Sequence, residues 1–140
     1  MSELQLQRYE VVTAEGRTVQ LEYDPASDML EIFFATGAAS GAIELADPII
    51  LRFDRETGKA LSLSILTFSQ VIQPTGLGPR SFPLSGLESL PDALLEQVTK
   101  MITTPPVSHF LKVMLYYPPA EQSPIPLSYI ERSVALPLAA

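Results

Sequence analysis

Hydrophobic and polar residues alternate along the first half of the chain. The alternation has a period of two over residues 18–23, 29–34, 43–45, 49–53 and 61–65. A period of two is typical of a strand that faces a core on one side and solvent on the other. Successive strands of this kind with short connections are typical of an antiparallel sheet that is covered on one face.

Turn residues separate the predicted strands. Residues 24–28 (DPASD) begin with Asp and continue with Pro, whose fixed φ suits the second position of a turn. Residues 54–58 (DRETG) end with Gly, which adopts a positive φ without a steric cost. Apolar residues between Leu4 and Val11 indicate an additional leading strand. The pattern therefore predicts an antiparallel β-meander of five to six strands within the first half.

One amphipathic helix is predicted in the second half. Ser89 and Asp92 have the spacing of a capping box, and the same spacing occurs four residues earlier. Because Pro91 is tolerated only in a first turn, we expect the helix over residues 89–103, ended by the proline pair that follows. The apolar stripe of this helix consists of Leu94, Leu95, Val98, Met101 and Ile102. Such a stripe needs an apolar partner, and the dry face of the sheet is the available one.

Proline interrupts the remaining segments. Residues 74–86 are a loop by composition. Residues 107–117 are nearly all apolar, and periodicity does not distinguish a buried strand from a short helix there. The valine and aromatic content favours a strand. Residues 118–126 are predicted to be an extended linker and residues 127–136 a last strand.

The length predicts one domain that spans residues 1–140 and belongs to the α+β class. Residues 1–73 are its β-rich part, which contains the meander described above. Residues 74–140 hold the amphipathic helix that packs on the sheet and a proline-rich segment that adds one or two strands.

Composition excludes several kinds of chemistry. The chain has no Cys and one His, so thiolate catalysis, zinc fingers and multi-histidine metal sites are excluded, and we expect no cofactor. The net charge of −7 argues against nucleic-acid binding, which depends on Lys and Arg. Neither a signal peptide nor a run of about 18 apolar residues is present, so we expect a cytoplasmic protein that does not contact a membrane.

Part of the chain resembles a family of short prokaryotic domains, domain of unknown function 2283. The resemblance covers residues 23–66. It is carried by Tyr23-Asp24-Pro25-Ala26-x-Asp28-x-Leu30-x-Ile32, Ile49-Ile50-x-x-Phe53-Asp54, Gly58-Lys59-Ala60-Leu61 and Leu63-x-Ile65-Leu66. Ser62 and Ser64 depart from the pattern, since a glycine and an acid are usual there. The resemblance implies a small β-rich architecture and, in some genomic settings, an antitoxin-like association.

Three aspartates in turns are candidates for a metal site or a carboxylate-based active site. Asp24, Asp28 and Asp54 bound adjacent strands, and carboxylates gathered at one end of a sheet bind hard cations. The alternative, which we favour, is that each Asp hydrogen-bonds the backbone of its own turn. His109 is a candidate general base, but no sequence pattern supplies an acid to orient it, and packing is the favoured explanation. We therefore assign no catalytic residue.

The second half has an excess of apolar residues that suggests an interface. Tyr116 and Tyr117 precede two prolines, and Phe68 and Phe82 lie in or beside an apolar loop. Tyr is enriched at protein interfaces. The alternative for the tyrosines is that one lies in the core and the other covers a sheet edge.

The functional prediction is a non-enzymatic module that forms a homodimer and binds another protein. Residues 1–60 contain eleven acids and five bases, a net charge of −6, which would steer a basic partner and fit an antitoxin-like role. The alternative is a small metal-binding domain or enzyme that uses the turn aspartates.

Overall fold

Six strands form the larger of two sheets. The structure is a computed structural model and describes residues 6–119 and 123–131. The strands are β1 (Gln7–Val12), β2 (Thr18–Asp24), β3 (Met29–Phe33), β4 (Gly41–Ala46), β5 (Ile49–Asp54) and β6 (Lys59–Ile65). All neighbours pair antiparallel, in the order β1-β2-β3-β6-β5-β4. The predicted antiparallel sheet, including the leading strand, is therefore present.

The strand order differs from a simple meander at one step, because β3 pairs with β6 and not with β4. Two three-stranded meanders, β1-β2-β3 and β4-β5-β6, are joined side by side at this pair. The burial of β6 explains the arrangement. Its last five residues are all buried, Ser62 and Ser64 among them, although its sequence alternates. A strand buried on both faces belongs in the middle of a sheet.

One face of this sheet forms the core. Strand partners across the central pair are Leu30 with Ile65 and Ile32 with Leu63, and all four are buried. The core also takes apolar side chains from β2, β4 and β5, and from the segments that follow β6. The predicted dry face is thus the packed face.

The helix that covers the core is α2 (Asp92–Thr103), which follows the short helix α1 (Phe68–Val71). It ends where predicted but begins three residues later than Ser89, with Pro91 extended at the N-cap and no side-chain capping bond. A proline disfavours helical conformation in the residue before it, so the helix cannot extend back through Leu90. Val98, Met101 and Ile102 of the predicted stripe are buried, and Leu94 and Leu95 are partly buried. No helix within the described residues is long and apolar enough to cross a bilayer.

A 3₁₀ turn at Ser85–Leu87 covers the edge strand β4. A Cβ added at Gly86 would lie 1.8 Å from the backbone oxygen of Glu44, so this contact requires glycine. Leu87 joins the core beside Leu45. The turn therefore covers an edge that would otherwise be open to pairing.

The proline-rich half forms a separate small sheet. Its strands are β7 (Phe82–Pro83), β8 (Leu111–Tyr116) and β9 (Ile125–Ile130), in the order β7-β9-β8. The predicted strand over residues 107–117 begins only at Leu111, after a 3₁₀ turn at Val107–His109. β7 lies within residues 74–86, which were expected to be loop. The end of the predicted last strand, residues 132–136, lies outside the described residues.

Candidate functional site

The structure separates the three turn aspartates. Asp24 and Asp28 flank the β2–β3 turn, which lies beside the end of β6 because Leu30 pairs with Ile65. Asp54 pairs with Lys59 at the start of β6, so the β5–β6 turn lies at the opposite end of the sheet. Within the described residues, no group of three His, Cys, Asp or Glu side chains could hold a metal ion. The gathering of carboxylates that the metal hypothesis requires is not found.

Asp24 and Asp54 each bind the backbone of their own turn. Asp24 accepts hydrogen bonds from the Ala26 amide at 3.0 Å and from the Ser27 hydroxyl at 2.9 Å. Asp54 accepts one from the Glu56 amide at 3.0 Å, and this bond is the largest cause of a lowered pKa at Asp54. Both carboxylates therefore stabilise turns, as Asp does at the first position of such turns.

Asp28 is the centre of a hydrogen-bond network that sequence patterns did not indicate. Its Oδ1 accepts from the Tyr23 hydroxyl at 2.6 Å and from the Ser69 amide at 3.0 Å, and its Oδ2 accepts from the Ser69 hydroxyl at 2.6 Å. Partial burial raises the pKa of Asp28, but the bonds from Ser69 and Tyr23 outweigh burial and lower it. The backbone of Asp28 is left-handed, with φ of 56°, a conformation that Asp tolerates better than most residues.

The network fastens α1 to the β2–β3 hairpin. The Phe68 amide donates to the Asp28 carbonyl at 2.8 Å, and the rings of Tyr23 and Phe68 lie 5.5 Å apart. The hydrogen bond to Asp28, together with burial, raises the pKa of Tyr23 to about 12. Phe68 is 1% exposed and belongs to the core, so its prediction as an interface residue is wrong.

His109 has an acidic partner that lies 94 residues away in the sequence. Its Nε2 lies 2.9 Å from both carboxylate oxygens of Glu15 in the β1–β2 turn. A hydrogen bond from the Thr13 hydroxyl, followed by the contact with His109, lowers the pKa of Glu15. The hydroxyl contacts Glu15 and not His109, so the order of a nucleophile–histidine–acid triad is not present. The contact ties the N-terminal hairpin to the C-terminal half.

Five of the nine exposed large apolar side chains among the described residues lie at the end of the β8–β9 hairpin. Met114, Leu115, Tyr116, Tyr117 and Ile125 are all exposed, and Tyr116 is the strand partner of Ile125. We call these five residues the hairpin tip. The predicted interface residues Tyr116 and Tyr117 belong to it, whereas Phe82 lies in β7, half-buried and paired with Ser128.

Comparison with known proteins gives one match. The model of a family described as Protein of unknown function (DUF2283) matches residues 20–69. No curated protein and no solved structure matches the chain. The matched segment includes Tyr23, Asp28 and Ser69, so the network is part of the conformation of that segment, while the hairpin tip lies outside it. The resemblance predicted over residues 23–66 is confirmed: this segment of the chain resembles DUF2283.

Proposed function

We propose that this protein is a self-associating interaction module and that the hairpin tip is the surface through which two copies bind. The observation that carries the proposal is the exposure of five large apolar side chains on one hairpin. Their exposed fractions run from 38% at Ile125 to 68% at Tyr117. Successive residues of β8 point to opposite faces, so the tip has exposed apolar side chains on both faces. Exposed apolar surface of this kind is typical of protein interaction sites.

The position of β8 supports pairing with a second strand. β8 is an edge strand of the smaller sheet, with β9 on one side only. An edge strand has backbone N–H and C=O groups that can accept another strand. Two β8 strands in antiparallel pairing around a two-fold axis would join two three-stranded sheets into one of six strands.

Charge supports a second copy of this chain as the occupant. The hairpin tip contains no charged residue, although the chain has a net charge of −7. The nearby Lys112 donates to the Ser108 carbonyl at 2.8 Å and is turned away from the tip. The five side chains of the tip therefore bring no like charges together, although the sequence places Glu121 between Tyr117 and Ile125. By contrast β1, an edge strand of the larger sheet, carries Arg8 and Glu10, and charges on an edge strand oppose pairing.

The experiment is light scattering on a size-exclusion column with the wild type and Leu115→Lys. We expect a dimer or larger species whose mass does not depend on salt, because the contact is apolar, and a monomer for Leu115→Lys. Val12→Lys is the matched control, since Val12 is 68% exposed on the edge strand β1. Circular dichroism checks that each variant folds. A monomeric wild type, or a Leu115→Lys variant with the mass of the wild type, would contradict the proposal.

A basic partner protein and an antitoxin-like role in the cytoplasm are the specific form of this proposal. They are supported by the charge distribution, in which residues 1–60 have a net charge of −6 from eleven acids and five bases. Electrostatic steering predicts an association rate with such a partner that falls as salt is added. Co-expression with the product of an adjacent toxic gene tests the role directly. If cells that express the toxic gene do not recover growth when this protein is co-expressed, the antitoxin-like role would be contradicted. Self-association would still be tested separately by light scattering.

A further inference from the structure

The structure contains a cavity between α1 and β7 that no feature of the proposed self-association uses. Its volume is about 470 Å³, within the range of small-molecule sites, which is roughly 300–1,000 Å³. It is lined by Thr67, Gln70, Val71, Gln73, Arg80 and Phe82. The hairpin tip contributes no residue to this lining, so a ligand here does not require the dimer.

The lining has the chemistry of a site for an organic anion. Among the described residues of the lining, Arg80 is the only charged one and none is a carboxylate, although acids outnumber bases in the chain by 16 to 9. Gln70 and Gln73 place two amides along the wall, and Phe82 and Val71 supply an apolar surface. Such a lining suits a ligand that has one anionic group and a small apolar body. Glu131 borders a different cavity of about 230 Å³, which also touches Arg80.

Arg80 is held in place by a bond that leaves its terminal nitrogens available. Its Nε donates to the Gln73 carbonyl at 3.2 Å. No other hydrogen bond or ion pair of the Arg80 side chain is formed with the described residues. The two terminal nitrogens of a guanidinium match the two oxygens of a carboxylate, which makes Arg the usual residue for bidentate carboxylate recognition.

The part of the lining at α1 contains a backbone outlier, and the site is open to solvent, since Thr67, Gln70, Gln73 and Arg80 are all exposed. Thr67 has a φ of 48°, and a left-handed conformation is rare for a β-branched residue. The adjacent helix α1 is fixed by the Asp28 carboxylate, which binds both the amide and the hydroxyl of Ser69. Costly backbone conformations persist where the surroundings enforce them and are concentrated at ligand sites. These contacts fix the position of α1 beside the β2–β3 hairpin.

We propose that this cavity binds a small organic carboxylate. The carboxylate pairs with the terminal nitrogens of Arg80, and the apolar body lies against Phe82 and Val71. Gln70 and Gln73 offer further hydrogen bonds to polar groups of the ligand.

Benzoate is the probe, because it has one carboxylate and a ring that the cavity can hold. We expect saturable shifts of the amide NMR signals of Gln70, Gln73 and Arg80 on titration, with a dissociation constant in the millimolar range. Arg80→Gln should weaken binding by at least about tenfold, which corresponds to roughly 1.4 kcal/mol. Phe82→Ala should weaken benzoate more than acetate, since acetate has no ring.

The controls separate charge from shape. Arg55→Gln removes an exposed arginine of the β5–β6 turn, at the far end of β6, and should leave benzoate binding unchanged. Benzamide has the shape of benzoate without the charge and should not saturate the same signals. Equal binding of benzoate to Arg80→Gln, equal binding of benzamide, or no saturation would overturn the proposal. Binding of inorganic phosphate in place of benzoate would overturn the ligand class.

Discussion

The two sheets of this protein differ in how much of their apolar surface is buried. The larger sheet buries one face over its strands β2 to β6, where Leu21, Leu51 and Leu63 are at most 1% exposed, and leaves the edge strand β1 exposed. The smaller sheet is buried at one end only. Along the single strand β8, exposure rises from 0% at Leu111 to 53% at Leu115.

The difference follows from what covers each sheet. Six strands offer a face wide enough for α2 and the 3₁₀ turns to close over it. The smaller sheet has three strands, one of them only two residues long, and its hairpin extends beyond the shared core. Apolar residues of β2 to β6 are therefore mostly core residues, whereas those at the far end of β8 are candidate contact residues. The variants below test this division, beginning with the largest expected effect.

Phe68→Ala is expected to have the largest effect, because it empties a core position that contacts the Tyr23 ring. Removing a buried Phe lowers the free energy of unfolding by about 3–5 kcal/mol. Tyr117→Ala is the control from the hairpin tip, where the loss should stay within about 0.5 kcal/mol. Urea unfolding followed by circular dichroism measures both. If both variants lose the same free energy of unfolding, the assignment of Phe68 to the core and Tyr117 to the surface would be contradicted.

Gly86→Ala tests the contact that joins the second half to the larger sheet. The added methyl would collide with the Glu44 carbonyl, and moving the turn away from β4 should lower the free energy of unfolding by about 1–3 kcal/mol. Gly76→Ala is the control, since a Cβ there has no neighbour within 4 Å. The same urea experiment applies. If Gly86→Ala lowers the free energy of unfolding no more than Gly76→Ala does, the close contact between Gly86 and the Glu44 carbonyl would be contradicted.

Asp28→Asn tests whether the negative charge of Asp28 strengthens its hydrogen bonds with Tyr23 and Ser69. Asn tolerates the left-handed backbone, so the substitution removes the charge and keeps the turn. We expect a loss of about 1–2 kcal/mol in the free energy of unfolding at pH 7, because hydrogen bonds to an ionised group are strengthened by its charge. The pKa of Tyr23, about 12 in the wild type, should fall, because Asp28 is the main cause of its rise. Tyrosinate absorbance in an alkaline titration measures the fall. Asp54→Asn is the control that should leave the pKa of Tyr23 unchanged, because Asp54 lies at the opposite end of the sheet and does not contribute to the rise.

Glu15→Gln has the smallest expected effect and concerns the tie between the two halves. Because the pKa of Glu15 is lowered in the folded protein, Glu15 stabilises the fold above its unfolded pKa, and this stabilisation is lost as pH falls through the folded value. The melting temperature of Glu15→Gln should therefore be closer to that of the wild type at pH 3 than at pH 7. Glu10→Gln removes the same charge from the hairpin without touching His109. A difference in melting temperature between Glu15→Gln and the wild type that is the same at pH 3 and pH 7 would contradict a stabilising contact between Glu15 and His109.

Much of the larger sheet was predictable from the sequence, because its signals are local. Alternation over residues 18–65 and the turn residues Asp24 and Asp54 indicated five strands and their connections. The end of α2 at Thr103 followed from the proline pair beyond it. These features depend on a few consecutive residues, whose backbone preferences are the same in any fold.

The candidate site was predictable only in part. Tyr116 and Tyr117 were predicted as interface candidates, with the alternative that one lies in the core, and both are exposed; Asp28 was recognised as a turn residue. The bonds from Ser69 to Asp28 span 41 residues, and the contact of His109 with Glu15 spans 94. No local pattern links such pairs, so neither could be found from spacing.

The sequence by itself determined the strands of the larger sheet, where most of their turns fall and which face of these strands is apolar, but it did not indicate β7. The tertiary structure decided that β3 pairs with β6, that Phe68 is buried while Tyr117 is not, and that Arg80 and Phe82 border one cavity. Local conformation follows from the residues of one segment. Pairing and burial depend on which distant segments meet, because the free energy of a contact depends on both partners and on the water that they exclude.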